Sequence, residues 1–328
     1  MPAEATYVRP RHENKLVLAA ALAACEVYQL NDGRAAVHNS AGDGHDAGDT
    51  ANLSSEGQYT VLKTASEVWI KGAPLWWDRS AAKATCNEPI GSSDRDFFLG
   101  CAVADAAAAD TTGVVNLNVQ PQYIIDSTRD NGDTTVVKTV VGSTTVEVPD
   151  VKQRGGMLVL NFGTTAEAQK VDWISDRGFA VSSNWVAEIL VELVTAADAA
   201  AADINVGVAS GTHATNFETI AEFAAFQMNG ADLNINAHSD DGTTDVAPTD
   251  TTIDWAAGTP VRLTLDGRNM ANVRYYVNGA EVLAATANLG DLTLAAGPLY
   301  AIIHAEKTSD DSPLVFRARI RVRTAEQD

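Results

Sequence analysis

The chain has 328 residues, 45% of them hydrophobic, and a formal net charge of −20. That length sets an expectation of about two domains, and the apolar content is enough for packed cores. An acidic field of this size repels nucleic-acid phosphates and anionic membranes, so neither is an expected partner; it suits a protein that meets other proteins.

The N-terminal arm, MPAEATYVRPRHENK, is the relatively basic part of an acidic chain, with Arg9, Arg11 and Lys15. It is followed by KLVLAAALAAC (Lys15 to Cys25), which has the outline of a lipoprotein signal ending in Leu-Ala-Ala-Cys. The residues after Cys25, EVYQLNDG, read instead as a strand and turn, so the segment is assigned to the fold. No apolar stretch reaches the ~20 residues that span a bilayer. Residues 1–120 are short β segments between turns: EVYQL, YTVLKT, EVWIKG and VVNLNV, with Asn31-Asp32-Gly33 as a hairpin signal. Three cysteines, Cys25, Cys86 and Cys101, lack zinc spacing and are too few and odd for a disulfide framework. They are expected to be small core residues.

Residues 121–155 are polar and β-branched, with turn signals at Asn131-Gly132 and Gly142-Ser143. This stretch reads as a connector carrying an extended hairpin packed on a neighbouring subunit, or as a solvated linker. Residues 156–328 return to regular short strands: GMLVLNFG, WVAEILVELV, INVGVAS, AAFQMNG, LNINAHS, VRLTLDG, NVRYYVNGAEV, LYAIIHAEK and LVFRARIRVRT. Period-two alternation in VRLTLDG and RARIRVR selects strands over helices. The fold class is therefore all-β: a small β-barrel-like N-terminal domain and a C-terminal β-sandwich or jelly roll. The hexamer DAAAAD occurs at Asp105–Asp110 and Asp198–Asp203 in unrelated flanks, so it reflects composition; the second copy is expected as a helical turn.

The chemistry-bearing residues are sparse in pattern. No nucleophile elbow, phosphate loop or His-Glu-x-x-His is present, and six histidines are scattered without ligand spacing. Acidic clusters at Asp43/Asp46/Asp49, Asp240/Asp241/Asp245 and Asp310/Asp311 supply oxygen ligands of the kind calcium takes, without the EF-hand pattern. A glycosidase carboxylate pair needs no short motif, and nothing positive points to one. In the last strand Arg317, Arg319, Arg321 and Arg323 alternate with apolar residues, so one strand face is all arginine. Glu188 and Glu192 share a face of their own strand and are placed to answer them across a sheet. The alternatives are an intramolecular charge ladder and a docking surface for an acidic partner or symmetry mate. Tyr275 and Tyr276, before the Asn278-Gly279 turn, must face opposite sides, one of them the core.

Two stretches resemble known families. Gly72, Pro74, Leu75, Trp76, Trp77 and Asp78, then Lys83 to Thr85, Leu99 to Ala104 and Val115 to Asn118, resemble a phage-borne family of small β domains found in capsid decoration, cement and head-fibre proteins. The polar insert NEPIGSSDRDFF departs from the family's shorter turn. PVRLTLDGRNMANVRYYVNGAEV (Pro260 to Val282) resembles concanavalin A-like jelly rolls, a likeness that marks fold and transfers no catalytic carboxylate. The resemblance implies a non-enzymatic virion protein without a cofactor, on the outer surface of a tailed-phage head. Its implied partners are the major capsid protein and copies of itself, as a homotrimer. The alternative it implies is an adhesion module for host-surface glycans. Arg9, Arg11, Lys15, Trp76, Arg317, Arg319, Arg321 and Arg323 are the interface candidates. Adjacent strand residues point to opposite faces, so Trp77 is assigned to the core and Trp76 outward or to a subunit contact.

Overall fold

Strands formed by alternating apolar residues build the whole described chain, a computed structural model that describes residues 5–7, 13–18, 21–38, 44–89, 96–128, 137–143, 145–147, 156–163, 166–195, 202–213, 216–229, 233–310 and 314–324. They group into two units: Met1–Pro121 with Asn278–Ala280, and Gln122–Val277 with Glu281–Asp328.

The first unit contains β1 (Ala5–Tyr7), β2 (Glu13–Val17), β3 (Val27–Gln29), β4 (Ala35–His38), β5 (Thr50–Ser54), β6 (Gln58–Leu62), β7 (Pro74–Asp78), β8 (Lys83–Thr85), β9 (Phe97–Ala102) and β10 (Thr112–Leu117). A four-stranded sheet has the order β2-β5-β4-β3, and a six-stranded sheet β1-β6-β10-β9-β7-β8. Val27, Ala35 and Val37 of the smaller sheet share one core with Tyr59, Val61, Leu75, Trp77, Phe97 and Val115 of the larger. The opposite face of the smaller sheet packs Leu18 and Leu22 against Ala36, Ala51 and Leu53. The signal-like apolar run thus forms β2, an isolated bridge from Leu22 to His45 and part of a core. Asn31-Asp32-Gly33 makes the β3–β4 hairpin, with Gly33 at φ +89°. EVWIKG is not a strand. Only Trp69 bridges, to Ala106, and Glu67 turns inward to accept from the Cys86 backbone N–H at 2.9 Å and the Thr85 hydroxyl at 2.6 Å.

Asn118 joins the two sheets of this unit. Its Oδ1 accepts from the Ala35 N–H at 2.9 Å, and its Nδ2 donates to the carbonyls of Ala35 (2.9 Å) and Ser55 (2.6 Å). Its own N–H donates to Leu99 O beside Gly100, where a Cβ would stand 2.0 Å from Asn116 O. Asn118→Ala leaves three backbone groups short of a partner, at ~1–3 kcal/mol for each that water cannot reach. A midpoint in urea that falls sharply with unchanged slope is the expected result; an unchanged midpoint would refute the bridging role.

The second unit is a two-sheet antiparallel sandwich. Its strands are β11 (Ile125–Asp126), β12 (Val137–Val141), β13 (Thr145–Glu147), β14 (Leu158–Phe162), β15 (Glu167–Ala180), β16 (Trp185–Thr195), β17 (Ala202–Ala209), β18 (Glu222–Asn229), β19 (Asn234–Asp241), β20 (Asp245–Asp254), β21 (Val261–Gly267), β22 (Arg274–Val277), β23 (Ala280–Val282), β24 (Pro298–Asp310) and β25 (Leu314–Thr324). An eight-stranded sheet runs β13-β14-β25-β16-β21-β22-β23, with β11 also on β25; a seven-stranded sheet runs β12-β15-β24-β17-β18-β19-β20. One core lies between them, from Leu160, Trp185, Ile189, Leu263 and Phe316 on one side to Trp173, Val206, Phe226 and Ile303 on the other. Tyr275 enters this core, and its hydroxyl donates to His238 O at 2.9 Å; Tyr276, on the opposite face, is buried as well.

The hairpin expected within residues 121–155 is not formed between its two described strands. β12 pairs with β15 and β13 with β14, so the Gly142-Ser143 turn carries the chain from the edge of one sheet to the edge of the other. Two strands carry no clear alternation in the sequence. β15 contains a bulge between Ile174 and Gly178. β20 is an edge strand holding Pro248 and exposed Asp245, Asp250 and Asp254. The second DAAAAD copy, except Ala202 and Asp203, lies outside the described residues.

Candidate functional sites

The first candidate is the Pro74–Asp78 strand. Trp77 pairs with Ala84 and Phe97 and lies in the core, 3% exposed. Asp78 Oδ1 accepts from the Ser80 hydroxyl and the Ala81 N–H, both at 2.8 Å, and so starts the turn into β8. Trp76 lies on the face opposite Leu75 and Trp77, as alternation expects, but that face is not open: Trp76 is 8% exposed and its ring meets Phe98 edge-on, centroids 6.1 Å apart. A buried Trp76 is a packing residue, not an exposed anchor. Arg9 and Arg11 lie outside the described residues, and so does the side chain of Lys15.

The second candidate is the arginine face of β25. Register sets Arg321 opposite Glu188 and Arg317 opposite Glu192 on β16. Arg317 Nη1 lies 3.0 Å from Glu192, Arg323 Nε 3.3 Å from Glu188, and Arg321 Nε 3.0 Å from Asp126 of β11. Arg262 of β21 adds a longer contact to Glu188 at 3.8 Å. The segment before β11 closes over this face. Tyr123 donates its hydroxyl to Glu188 at 2.6 Å and lies under the Arg321 guanidinium, 5.2 Å away. Burial, with the Glu188 carboxylate beside it, holds the Tyr123 hydroxyl well above its ordinary pKa. Arg319 and Arg323 are buried, and Arg317 and Arg321 are half-buried. The face expected as a possible docking surface is therefore an internal ladder, since the sheet supplies the carboxylates itself.

The third candidate was not visible in the sequence. Strand parity turns Asp172, His304, Asn205, Gln227 and Asn236 to the outer face of the seven-stranded sheet, side by side on β15, β24, β17, β18 and β19. His304 Nδ1 is 2.6 Å from Asp172 Oδ1, and Lys170 Nζ is 2.9 Å from Asp172 Oδ2. Burial pulls the His304 imidazole down, but its bonds to Asp172 and Glu306 outweigh that and leave its pKa raised. Next to this row, Phe217 of a short 3-10 turn (Phe217–Thr219) stacks near His304 and His238 and packs on Phe223, Ala225 and Ile302. Lys170 donates to His213 O and Gln227 Nε2 to Glu218, fastening the stretch around the turn to the sheet.

Two groups here, the half-buried Asp203 and the buried His238, titrate in opposite senses. Burial lifts Asp203 to about 6, so its contribution to stability is present below pH 3.8 and lost as pH rises through 6. Burial depresses His238 to about 3, so its contribution is present above pH 6.5 and lost as pH falls towards 3. Asp203→Asn is expected to stabilise the unit at pH 8 by on the order of 2 kcal/mol and to change little at pH 4. Thermal unfolding from pH 4 to 8 checks this; an equal shift at both ends would sink it.

In the acidic turns suggested as calcium ligands, three carboxylates accept backbone bonds. Asp49 accepts from the Asp46 N–H, Asp240 from Gly242, and Asp241 from Thr243 and Thr244. Asp43 and Asp311 lie outside the described residues, as does the Asp310 side chain. Among the described residues no group of three His, Cys, Asp or Glu is placed to hold a metal, and no helix is long and apolar enough to cross a membrane. Cys86 and Cys101 are buried as expected, whereas Cys25 is half-buried in a turn at φ +59°.

These features define an all-β protein: a small two-sheet unit followed by a two-sheet antiparallel sandwich. Residues 10–117 match the family described as phage cement protein. No curated protein sequence matched the chain. Among solved structures, one described under endo-acting O-glycanases of human gut microbiota members is 14% identical, covering 62% of this chain and 100% of that chain with a TM-score of 0.44. A family 16 endo-glucanase from Bacteroides ovatus is 8% identical, covering 61% of this chain and 100% of that chain, TM-score 0.43. The Emp47p carbohydrate recognition domain is 10% identical, covering 57% of this chain and 88% of that chain, TM-score 0.40.

Proposed function

We propose that this protein decorates the outside of a tailed-phage head and cements its capsid lattice through the first unit, acting non-enzymatically. The observation that carries this reading is the match of residues 10–117 to phage cement protein. A protein that binds only the assembled lattice stabilises it by linkage, as any ligand stabilises the state it binds. Many weak contacts in a repeating array then add through avidity. The net charge of −20 suits an outer surface better than one facing packaged DNA. The basic arm with Arg9, Arg11 and Lys15 is the proposed capsid-facing element, and a homotrimer on a threefold or quasi-threefold position is the proposed assembly. The test incubates the full chain with heads lacking it, then measures occupancy by cryo-EM and the temperature of head disruption. Saturable binding with a raised disruption temperature supports the reading; binding to neither heads nor capsid protein ends it.

A second reading makes the jelly roll a glycan-binding adhesion module. What favours it is the two-sheet antiparallel sandwich of the second unit together with the resemblance of Pro260 to Val282 to concanavalin A-like jelly rolls, many of which bind sugars. Glycan-array binding by the full chain tests it, and a clean negative with retained head binding would remove it.

A further inference from the structure

His238 on β19 stands where an ionisable side chain gains nothing from the fold. Ile235 and Ala237 enter the sandwich core, so His238 points to the outer face of the seven-stranded sheet. It is nevertheless 0% exposed, and neither ring nitrogen has a hydrogen-bond partner. Two phenyl rings enclose it: Phe223 of β18, centroids 4.8 Å apart, and Phe217, centroids 5.5 Å apart. Phe223 belongs to a strand paired on both sides and is fixed by it. Phe217 belongs to the 3-10 turn Phe217–Thr219, which closes on itself through bonds among Asn216, Phe217, Glu218, Thr219 and Ile220. Phe217 and Ile220 hold the turn to the sheet by packing on Ala209, Phe223, Ala225 and Ile302. The bond from Gln227 to Glu218, at 3.2 Å, and that from Lys170 to His213 O add to this hold.

This arrangement links the turn to the proton. While the turn is closed, burial alone acts on the His238 ring and pulls its pKa down to about 3. The charged groups on the elements around it are engaged elsewhere. Asp240 of its own strand accepts from the Gly242 N–H, Glu222 of β18 from Ala296 and Gly297, and Glu218 of the turn from Gln227. Asp245 and Asp250 of β20 are exposed, and His304, the other imidazole beside Phe217, is paired with Asp172. Once the turn lifts, the ring meets water, where an imidazole takes a proton near pH 6.5. Between pH 6.5 and 3 the open form therefore binds a proton that the closed form refuses, and that proton favours opening. Lifting the turn leaves the ladder of β17, β18 and β24 intact, so it costs less than unfolding the sandwich. It uncovers an apolar floor of Ala209, Phe223, Ala225 and Ile302.

We propose that the turn Asn216–Ile220 is an acid-released cover: protonation of His238 lifts Phe217 from the sheet and presents an apolar patch. The proposal does not depend on the capsid reading. The test measures hydrogen exchange of the Thr219 and Ile220 amides, bonded to Asn216 O and Phe217 O, in the full chain at pH 7 and pH 5. Rates are corrected for the intrinsic pH dependence of exchange. The expected result is an opening constant about 25-fold larger at pH 5, with the amides of β16 unchanged. In His238→Met, which has no proton to take, the two constants are expected to agree within about twofold. A second variant, Phe217→Ala, removes the cover and keeps the histidine. There the His238 ring signal in NMR is expected to titrate near pH 6.5, whereas in the parent it does not titrate between pH 5 and 8. An equal rise in the parent and His238→Met, a rise shared by β16, or no rise at all overturns the proposal. So does a parent His238 that titrates near pH 6.5, or one that stays neutral at pH 5 in Phe217→Ala.

Discussion

Trp77→Ala is expected to unfold the first unit. The indole is 3% exposed among Phe97, Leu75, Val115 and Tyr59, and truncating a buried tryptophan costs about 3–5 kcal/mol. That is a large share of the ~5–15 kcal/mol that holds a domain together. Hydrogen exchange reads the result strand by strand. Amides of β7, β9 and β10 should lose protection, while those of β16 and β24 in the other core keep it. Trp76→Ala should destabilise the same strands by less, since its described ring partner is a single half-buried Phe98. Full protection in β7 after Trp77→Ala would overturn the core assignment. If Trp76→Ala left stability untouched, its place as a packing residue would fall.

Glu188→Leu is the second large effect, in the sandwich. This carboxylate, 8% exposed, answers Arg323 at 3.3 Å, Arg262 at 3.8 Å and the Tyr123 hydroxyl at 2.6 Å. Removing one partner of a buried charge pair leaves the others uncompensated, at a cost of about 3–5 kcal/mol. Replacing both ends costs far less, because the desolvation of the remaining charge disappears with it. The double variant Glu188→Leu/Arg323→Leu should therefore recover much of the loss. Urea unfolding of the two single variants, the double variant and the parent gives the coupling directly. A loss under ~1 kcal/mol for Glu188→Leu would show that water screens the ladder as it does an exposed pair.

The sequence made the β class and the ladder legible for a common reason. A strand buried on one face writes its pattern into every second residue, as Phe316, Ala318, Ile320 and Val322 do against the four arginines. The core place of Trp77 was legible from strand parity, whereas the turn at Asp78 entered the sequence reading only with the family resemblance. What period-two reading misses is irregularity and cover. Alternation sends Trp76 away from the core of Leu75 and Trp77 but does not reveal that this second face is covered as well, and the bulge in β15 and the proline in β20 hid two long strands. The Asp172–His304 pair and its neighbour Asn205 were invisible for another reason. They stand 132 residues apart in the first case, and only the β15-β24-β17 order brings them together. His304 gave no warning, because its neighbours Ile303 and Ala305 are ordinary strand residues.

The edge strand β20 bears on how copies of this chain behave when crowded. A bare sheet edge invites the next molecule to continue the hydrogen-bond ladder, and a lattice that holds copies side by side raises their local concentration greatly. β20 resists this through Pro248, which has no N–H to offer, and through exposed Asp245, Asp250 and Asp254, which repel their counterparts on an approaching twin. Neighbours brought together at this margin would slide past one another instead of fusing into a continuous sheet. β20 therefore offers no continuous ladder to a second copy, and copies that meet at this margin stay discrete units.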